Sequence, residues 1–327
     1  MNGTRARADG RELGRRLRDR DLTASAAALN LIESRAPDAR EQAETLLAAL
    51  SPAALGYEAP GHIVGLTGPP GVGKSSLLSQ LVKHWRSCDR SVAILAIDPS
   101  SKRSGGSLLG DRARIETDPK DRHVFIRSTA AGTRLGGLAP ATRAASEVLA
   151  AAFDMVVIET VGVGQSETEI ADAADTVAVV LQPSSGDVLQ FLKAGIMEVP
   201  DVLVLTKTDL GAAATRAMSD LQAALLALGA TETELCPVSS VPPPQGIERL
   251  AEALEAHRQR IDLAERRRNA RRRHALENFA VEHGDRGLRA LGGRLQAERW
   301  LETQDPALDV PALERALTDR AESEDRR

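Results

Sequence analysis

Residues 61–76 read GHIVGLTGPPGVGKSS, and this stretch decides the fold. The apolar run Ile63-Val64-Gly65-Leu66 predicts a strand. Gly68 to Ser75 then fits the phosphate-loop pattern G-x-x-x-x-G-K-[ST], and Leu77, Leu78, Leu81 and Val82 begin a helical repeat. Strand before and helix after is the context that such a loop requires. Gly68, Gly71 and Gly73 let the backbone curl, so that amides from Val72 through Ser76 converge on a phosphate chain. Lys74 is expected to reach the terminal phosphates, and the Ser75 hydroxyl to ligate Mg²⁺. A plain glycine-rich turn between strand and helix is the lesser alternative.

Outward from this loop the chain alternates strands and helices, the grammar of a parallel sheet with crossover helices. Strands are predicted at 62–67, 91–97, 123–127, 154–159, 176–181 and 201–206, with a further one at 235–238. Helices are predicted at 75–87, about 138–152, about 187–197, 215–228 and 246–260. Several strands are continuous apolar runs, as strands covered on both faces should be. The fold class is therefore α/β, a P-loop nucleotide-triphosphatase core whose mostly parallel sheet is flanked by helices. A helical extension at 1–58 precedes a core at 59–260, and a helical arm at 261–327 follows. Residues 1–10 read as a polar lead without structure. The arginine-rich run at 258–274 reads as a solvated helix face, since no aromatic residue interleaves its charges.

The 327 residues are 42% hydrophobic but only 2% aromatic, so the core must be aliphatic. Forty-two Lys and Arg against 46 Asp and Glu leave a net charge of −4, which argues against bulk attraction to nucleic acid or an anionic membrane. Cys88 and Cys236 stand far apart, as expected of free thiols in a reducing compartment. No run approaches a membrane span, and the amino terminus lacks a signal-like apolar stretch. The expectation is a cytoplasmic protein.

Ligands of such folds sit at the carboxyl ends of the strands, and polar residues collect there. Asp98 ends the second strand, where a carboxylate can orient hydrated Mg²⁺; a strand cap is the alternative. Asp111, past a Gly/Ser-rich stretch, has the same reading beside that of a helix N-cap. Ile158-Glu159-Thr160-Val161-Gly162 fits an acidic-x-x-Gly element. Glu159 is expected near the metal, the Gly162 amide at the γ-phosphate, and Gln165 to orient water. Thr206-Lys207-Thr208-Asp209 ends the sixth strand. Guanine presents N1–H and an exocyclic N2 amine side by side, and one carboxylate accepts from both. Adenine would set its N1 lone pair against Asp209, so the motif favours GTP. The stem of Lys207 can lie along the base, and the backbone at Ser239 can reach guanine O6. Asp187, Gln190 and Lys193, after the fifth strand, suggest a third loop that couples nucleotide state to a partner; the alternative is an ordinary loop with Asp187 as a cap.

Taken together, GLTGPPGVGKSS, AIDPSS, GGSLLGDRAR, ETVGVGQSE and GDVLQ with Lys193-Ala194-Gly195-Ile196 resemble the MeaB/ArgK family of G proteins. The resemblance covers roughly 25–260, and the tail is similar to the family's dimerisation arm in length and helical pattern. It implies a GTPase chaperone that binds a cobalamin-dependent acyl-CoA mutase, such as methylmalonyl-CoA mutase, gates delivery of adenosylcobalamin and protects the mutase. It also implies GTP/GDP and Mg²⁺ as ligands and a homodimer. By resemblance Lys74 and Ser75 take the phosphate and metal roles. Asp98, Asp111 and Glu159 match acidic metal-site positions, and Gln190 and Lys193 match a third switch. Thr206 replaces the commoner Asn, which is expected to weaken its tether to the phosphate loop. Val188, Ala194 and the run 128–134 also depart from the pattern. The competing readings are a nickel-type metallochaperone GTPase, which wants a His/Cys cluster, and a kinase transferring the γ-phosphate.

Overall fold

The structure, a computed structural model, describes residues 9–34, 36–98, 115–130, 140–160, 166–183 and 200–325. They fall into two compact units. One comprises residues 61–146 and 153–261; the other joins residues 1–60, 147–152 and 262–327.

The first unit holds seven parallel strands: β1 His62–Thr67, β2 Val92–Asp98, β3 Val124–Ala130, β4 Met155–Glu159, β5 Thr176–Leu181, β6 Val202–Leu205 and β7 Glu234–Pro237. Their order is β3-β2-β4-β1-β5-β6-β7, which puts β1 at the centre between β4 and β5. All residues of β1, β4, β5 and β6 are buried, which accounts for their unbroken apolar runs. Side chains alternate across the sheet. Val64 and Leu66 face a cluster completed by Leu77, Leu78, Leu81, Val82 and Trp85 on one helix and by Leu250 and Leu254 on another. Gly65 faces the opposite side, where Ile170 and Ala174 leave no room for a side chain.

Aspartates fix the amino ends of the strands. Asp154 accepts from the Ser91 amide, Asp175 from the Ile63 amide and Asp201 from the Val177 amide, each at 2.8 Å. At the same end His62 Nε2 meets Thr176 Oγ1 at 2.8 Å, Thr176 Oγ1 meets His257 Nδ1 at 2.8 Å, and His257 Nε2 meets Asp201 Oδ1 at 3.1 Å. These largely buried polar side chains pair with one another. The opposite, carboxyl end is left for the site.

The strand edges differ from the sequence expectation at β3, which runs to Ala130 rather than ending at 127. Its ladder to β2 continues through Ile97 opposite Thr129 and Asp98 opposite Ala130. The predicted helix at 187–197 lies outside the described residues.

In the second unit, α1 Gly10–Arg18, α2 Ser25–Ile32, α3 Pro37–Ala49 and α4 Pro52–Leu55 come from the amino-terminal segment. Helix α1 starts at Gly10, where Asp9 caps it, its carboxylate accepting from the Arg11 and Glu12 amides. The chain continues in the first unit with α5 Lys74–Ser87, then α6 Pro140–Ala150, whose last turn belongs to the second unit. Next in the first unit are α7 Ser166–Ala173, α8 Ala212–Ala227 and α9 Ile247–Arg260. The arm supplies α10 Leu263–Ala290, α11 Arg294–Glu302 and α12 Val310–Asp325; a non-helical residue, Gly284, kinks α10. Leu276 and Phe279 of α10, Leu301 of α11, and Leu313 and Leu317 of α12 close one apolar cluster. These side chains cover one another, while Val281 of α10 and Leu295 of α11 stay exposed.

The arginine-rich run is not a simply solvated face. Arg271, only 6% exposed, forms a two-pronged pair with Glu58 at 3.0 and 2.8 Å and also donates to the Pro306 carbonyl. Arg267, one turn earlier on the same helix face, donates to the Ala59 carbonyl at 2.6 Å. A guanidinium has five donors in a fixed fork, which suits it to knit segments together at a buried position.

Candidate active site

The phosphate loop leaves the end of β1 at the centre of the sheet. Gly68 sits at φ 144°, and a Cβ there would lie 2.2 Å from the Val180 carbonyl oxygen of β5. Only glycine lets the loop start this close to its neighbour strand. Gly73, at φ 97°, then turns the chain into α5, which starts at Lys74.

Lys74 is 8% exposed, and its Nζ donates to the Gly68 and Pro69 carbonyls at 2.6 and 3.1 Å. Its ammonium thus lies across its own loop, held by that loop's carbonyl oxygens. Val72 is buried and Ser76 exposed. Ser75 Oγ donates to Glu159 Oε1 at 3.1 Å, although the two lie on different elements. Glu159 ends β4 at 5% exposure. Beside it Thr160 donates its amide to Leu66 and its hydroxyl to Thr67, at 3.0 and 2.9 Å, locking the ends of β4 and β1 together.

The Ser75 hydroxyl and Glu159 carboxylate are hard oxygen donors brought to one place beside a phosphate loop, which is the donor chemistry that Mg²⁺ takes. Among the described residues no group of three His, Cys, Asp or Glu side chains could hold a metal by itself.

The base-side residues converge at the ends of β6 and β7. Thr206 Oγ1 lies 2.6 Å from the Val72 carbonyl and 2.9 Å from the Leu181 carbonyl. Thr206 thus does tether the phosphate loop, through its hydroxyl. The hydroxyl is shorter than an Asn side chain, yet the buried backbone approaches closely enough for it to reach the loop. Lys207, in the left-handed region at φ 54°, donates to the Gly71 carbonyl at 3.0 Å and to Gln182 Oε1 at 2.5 Å. Asp209 Oδ1 accepts from Ser239 Oγ at 2.7 Å, so both predicted base contacts meet.

Asp98 is the last residue of β2, at the expected carboxyl end of a strand. Asp111, Gly162, Gln165, Asp187, Gln190 and Lys193 lie outside the described residues. Sequence reasoning missed Thr160 and Gln182. Thr160 is an unspecified position of the acidic-x-x-Gly element and Gln182 belongs to no motif; their positions directly after β4 and β5 were the signal available.

A family model described as methylmalonyl-CoA mutase-associated GTPase MeaB matches residues 25–286. The chain belongs to the MeaB GTPase family. A protein of Pyrococcus abyssi, provisionally named a GTPase, is 44% identical to this MeaB-family chain over 199 residues, 61% of this chain and 59% of that one. A methylmalonic aciduria type A homolog of Caenorhabditis briggsae, named as mitochondrial, is 41% identical over 57% of this chain and 47% of its own length. The match thus spans about three-fifths or less of the length of these relatives. Among solved structures, a LAO/AO transport system kinase superposes with a TM-score of 0.61 at 26% identity, over 94% of this chain and 96% of that one. No helix among the described residues is long and apolar enough to cross a membrane.

Proposed function

We propose that this protein binds and slowly hydrolyses GTP, and that it uses the cycle to gate adenosylcobalamin delivery to, and to protect, a cobalamin-dependent acyl-CoA mutase. The observation that carries the GTP part is the meeting of Asp209 and Ser239 at the strand ends beside the phosphate loop. The mutase part rests on membership of a family described as mutase-associated.

In this reading Gly68, Gly71, Val72, Gly73 and Ser76 line the phosphate path, and Lys74 turns from its loop carbonyls to the β- and γ-phosphates. Asp209 accepts from guanine N1–H and N2–H. Thr206 and Lys207 hold the base loop against the phosphate loop. Ser75 and Glu159, with Asp98 and Asp111, hold Mg²⁺, which supplies charge neutralisation at the phosphates. The Gly162 amide senses the γ-phosphate and Gln165 orients the attacking water, as such residues do in related chemistry. Asp187, Gln190 and Lys193 relay nucleotide state to the mutase. The proposal places the protein in the cytoplasm, as a homodimer through its arm. The dimer rests on resemblance alone.

The test is phosphate release from GTP while a cobalamin-dependent mutase is titrated in. Acceleration is expected, and a flat rate across all such mutases of the source organism would remove the chaperone role. A second reading has one observation behind it: the superposed structure is that of a transport system kinase. Label from γ-phosphate retained on an acceptor, rather than released as free phosphate, would favour it.

A further inference from the structure

We infer that Gln182 is a positioning residue of the nucleotide site, acting on the base through Lys207. The inference rests on the GTP-binding reading above.

The ends of β5 and β6 and the phosphate loop meet at one junction. Leu181 accepts from the Thr206 amide at 2.8 Å and lies 2.9 Å from its hydroxyl, while Val72 receives the same hydroxyl. One residue further along both strands, Gln182 Oε1 and the Gly71 carbonyl share the Lys207 ammonium. Lysine only donates, so the Gln182 amide must present its oxygen to it. Of these acceptors, Gln182 is the one that a side chain provides, and hence the one that substitution can remove without touching the backbone.

A free lysine stem has four rotatable bonds and lies in one place only if its end is held. Gln182 and Gly71 hold that end from two sides. The methylenes of Lys207 then form a wall already in place when a purine arrives, so less ordering is needed on binding. The left-handed backbone at Lys207 is consistent with a residue whose direction is fixed by its surroundings. A wall touches a ring face without reading its edge. Gln182 should therefore strengthen binding of guanine and hypoxanthine nucleotides by one common factor, while Asp209 separates them.

The experiment measures release of fluorescent GDP and of the inosine analogue from the full chain, alongside its thermal unfolding midpoint. Gln182→Ala and the similarly sized Gln182→Met remove the acceptor; Gln182→Glu keeps one. The expected result is release faster by roughly 5- to 20-fold for both nucleotides in the first two variants, the unfolding midpoint held, and recovery in Gln182→Glu. Should Gln182→Ala fail to fold, Gln182→Met carries the comparison. Release like wild type in both variants overturns the inference and leaves GTP binding standing. Faster release with a parallel fall in melting and no recovery by Gln182→Glu also overturns it, in favour of a purely structural role. Absence of GDP binding by the wild-type chain overturns the inference together with the reading on which it rests.

Discussion

The hydroxyl of Thr206, at the end of β6, lies 2.6 Å from the carbonyl oxygen of Val72 in the phosphate loop. This contact joins the base-reading end of the sheet to its phosphate-reading centre. Thr206→Val keeps the shape and leaves the Val72 carbonyl buried without this donor, a loss of about 1–3 kcal/mol. GDP affinity measured by titration calorimetry should fall at least several-fold. Thr206→Asn, which restores a donor, should recover most of it.

In the proposed reading Asp209 carries base choice. Asp209→Asn exchanges an acceptor for a group that can also donate, which suits the C2 carbonyl of xanthine and mismatches the amine of guanine. Competition binding should show GTP weakened by roughly 100-fold or more, with XTP gaining relative to it. Equal affinities for GTP and ATP in the wild-type chain would remove the guanine assignment.

In the proposed reading Lys74 meets the phosphates and Glu159 the metal, and the two can be tested apart. Lys74→Ala removes the charge from the loop, and hydrolysis measured by phosphate release should drop by about 10²–10³. Chelation by EDTA should stop wild-type turnover. Glu159→Gln should shift the Mg²⁺ concentration that restores it upward by roughly 10-fold or more.

A pH prediction follows from the second unit. Desolvation pushes the half-buried Glu147 carboxyl up to about 7, against the opposing pull of Arg271 and Arg267. The group thus binds its proton more tightly folded than unfolded. Its contribution to stability is whole below the ordinary carboxylate range and fades as pH rises through about 7. Glu147→Gln should melt higher than wild type at pH 8, by an amount on the order of 1–3 kcal/mol, with the difference vanishing near pH 4. Melting curves across this range decide the matter.

Much of the core was legible because its signals are local. β1 and its loop announce themselves through six consecutive residues and a spaced glycine set, and Asp209 stands at the end of an apolar run. Signals that depend on distant partners were not. Arg271 looks like one arginine among many until Glu58, 213 positions away, is placed beside it. β3 continues through Ser128 and Thr129, residues with no apolar pattern, because β2 offers a ladder. That Thr206 reaches the phosphate loop at all is visible only once the Val72 carbonyl is placed within hydroxyl reach. Gln182 has no motif at all, and its role is a matter of where two strands end.

Arg271 and Glu58 belong to opposite ends of the chain, and residues 1–60 and 262–327 share one compact unit. During synthesis α1 and α2 can pack on α3 as soon as they emerge, but Glu58 and Ala59 must wait for Arg271 and Arg267 while the whole nucleotide-binding unit is made and able to fold. The unit formed from the two ends is therefore the last part to be completed. A ribosome stalled within α10 would leave a finished nucleotide-binding core carrying an unfinished neighbour, a natural target for chaperones and proteases.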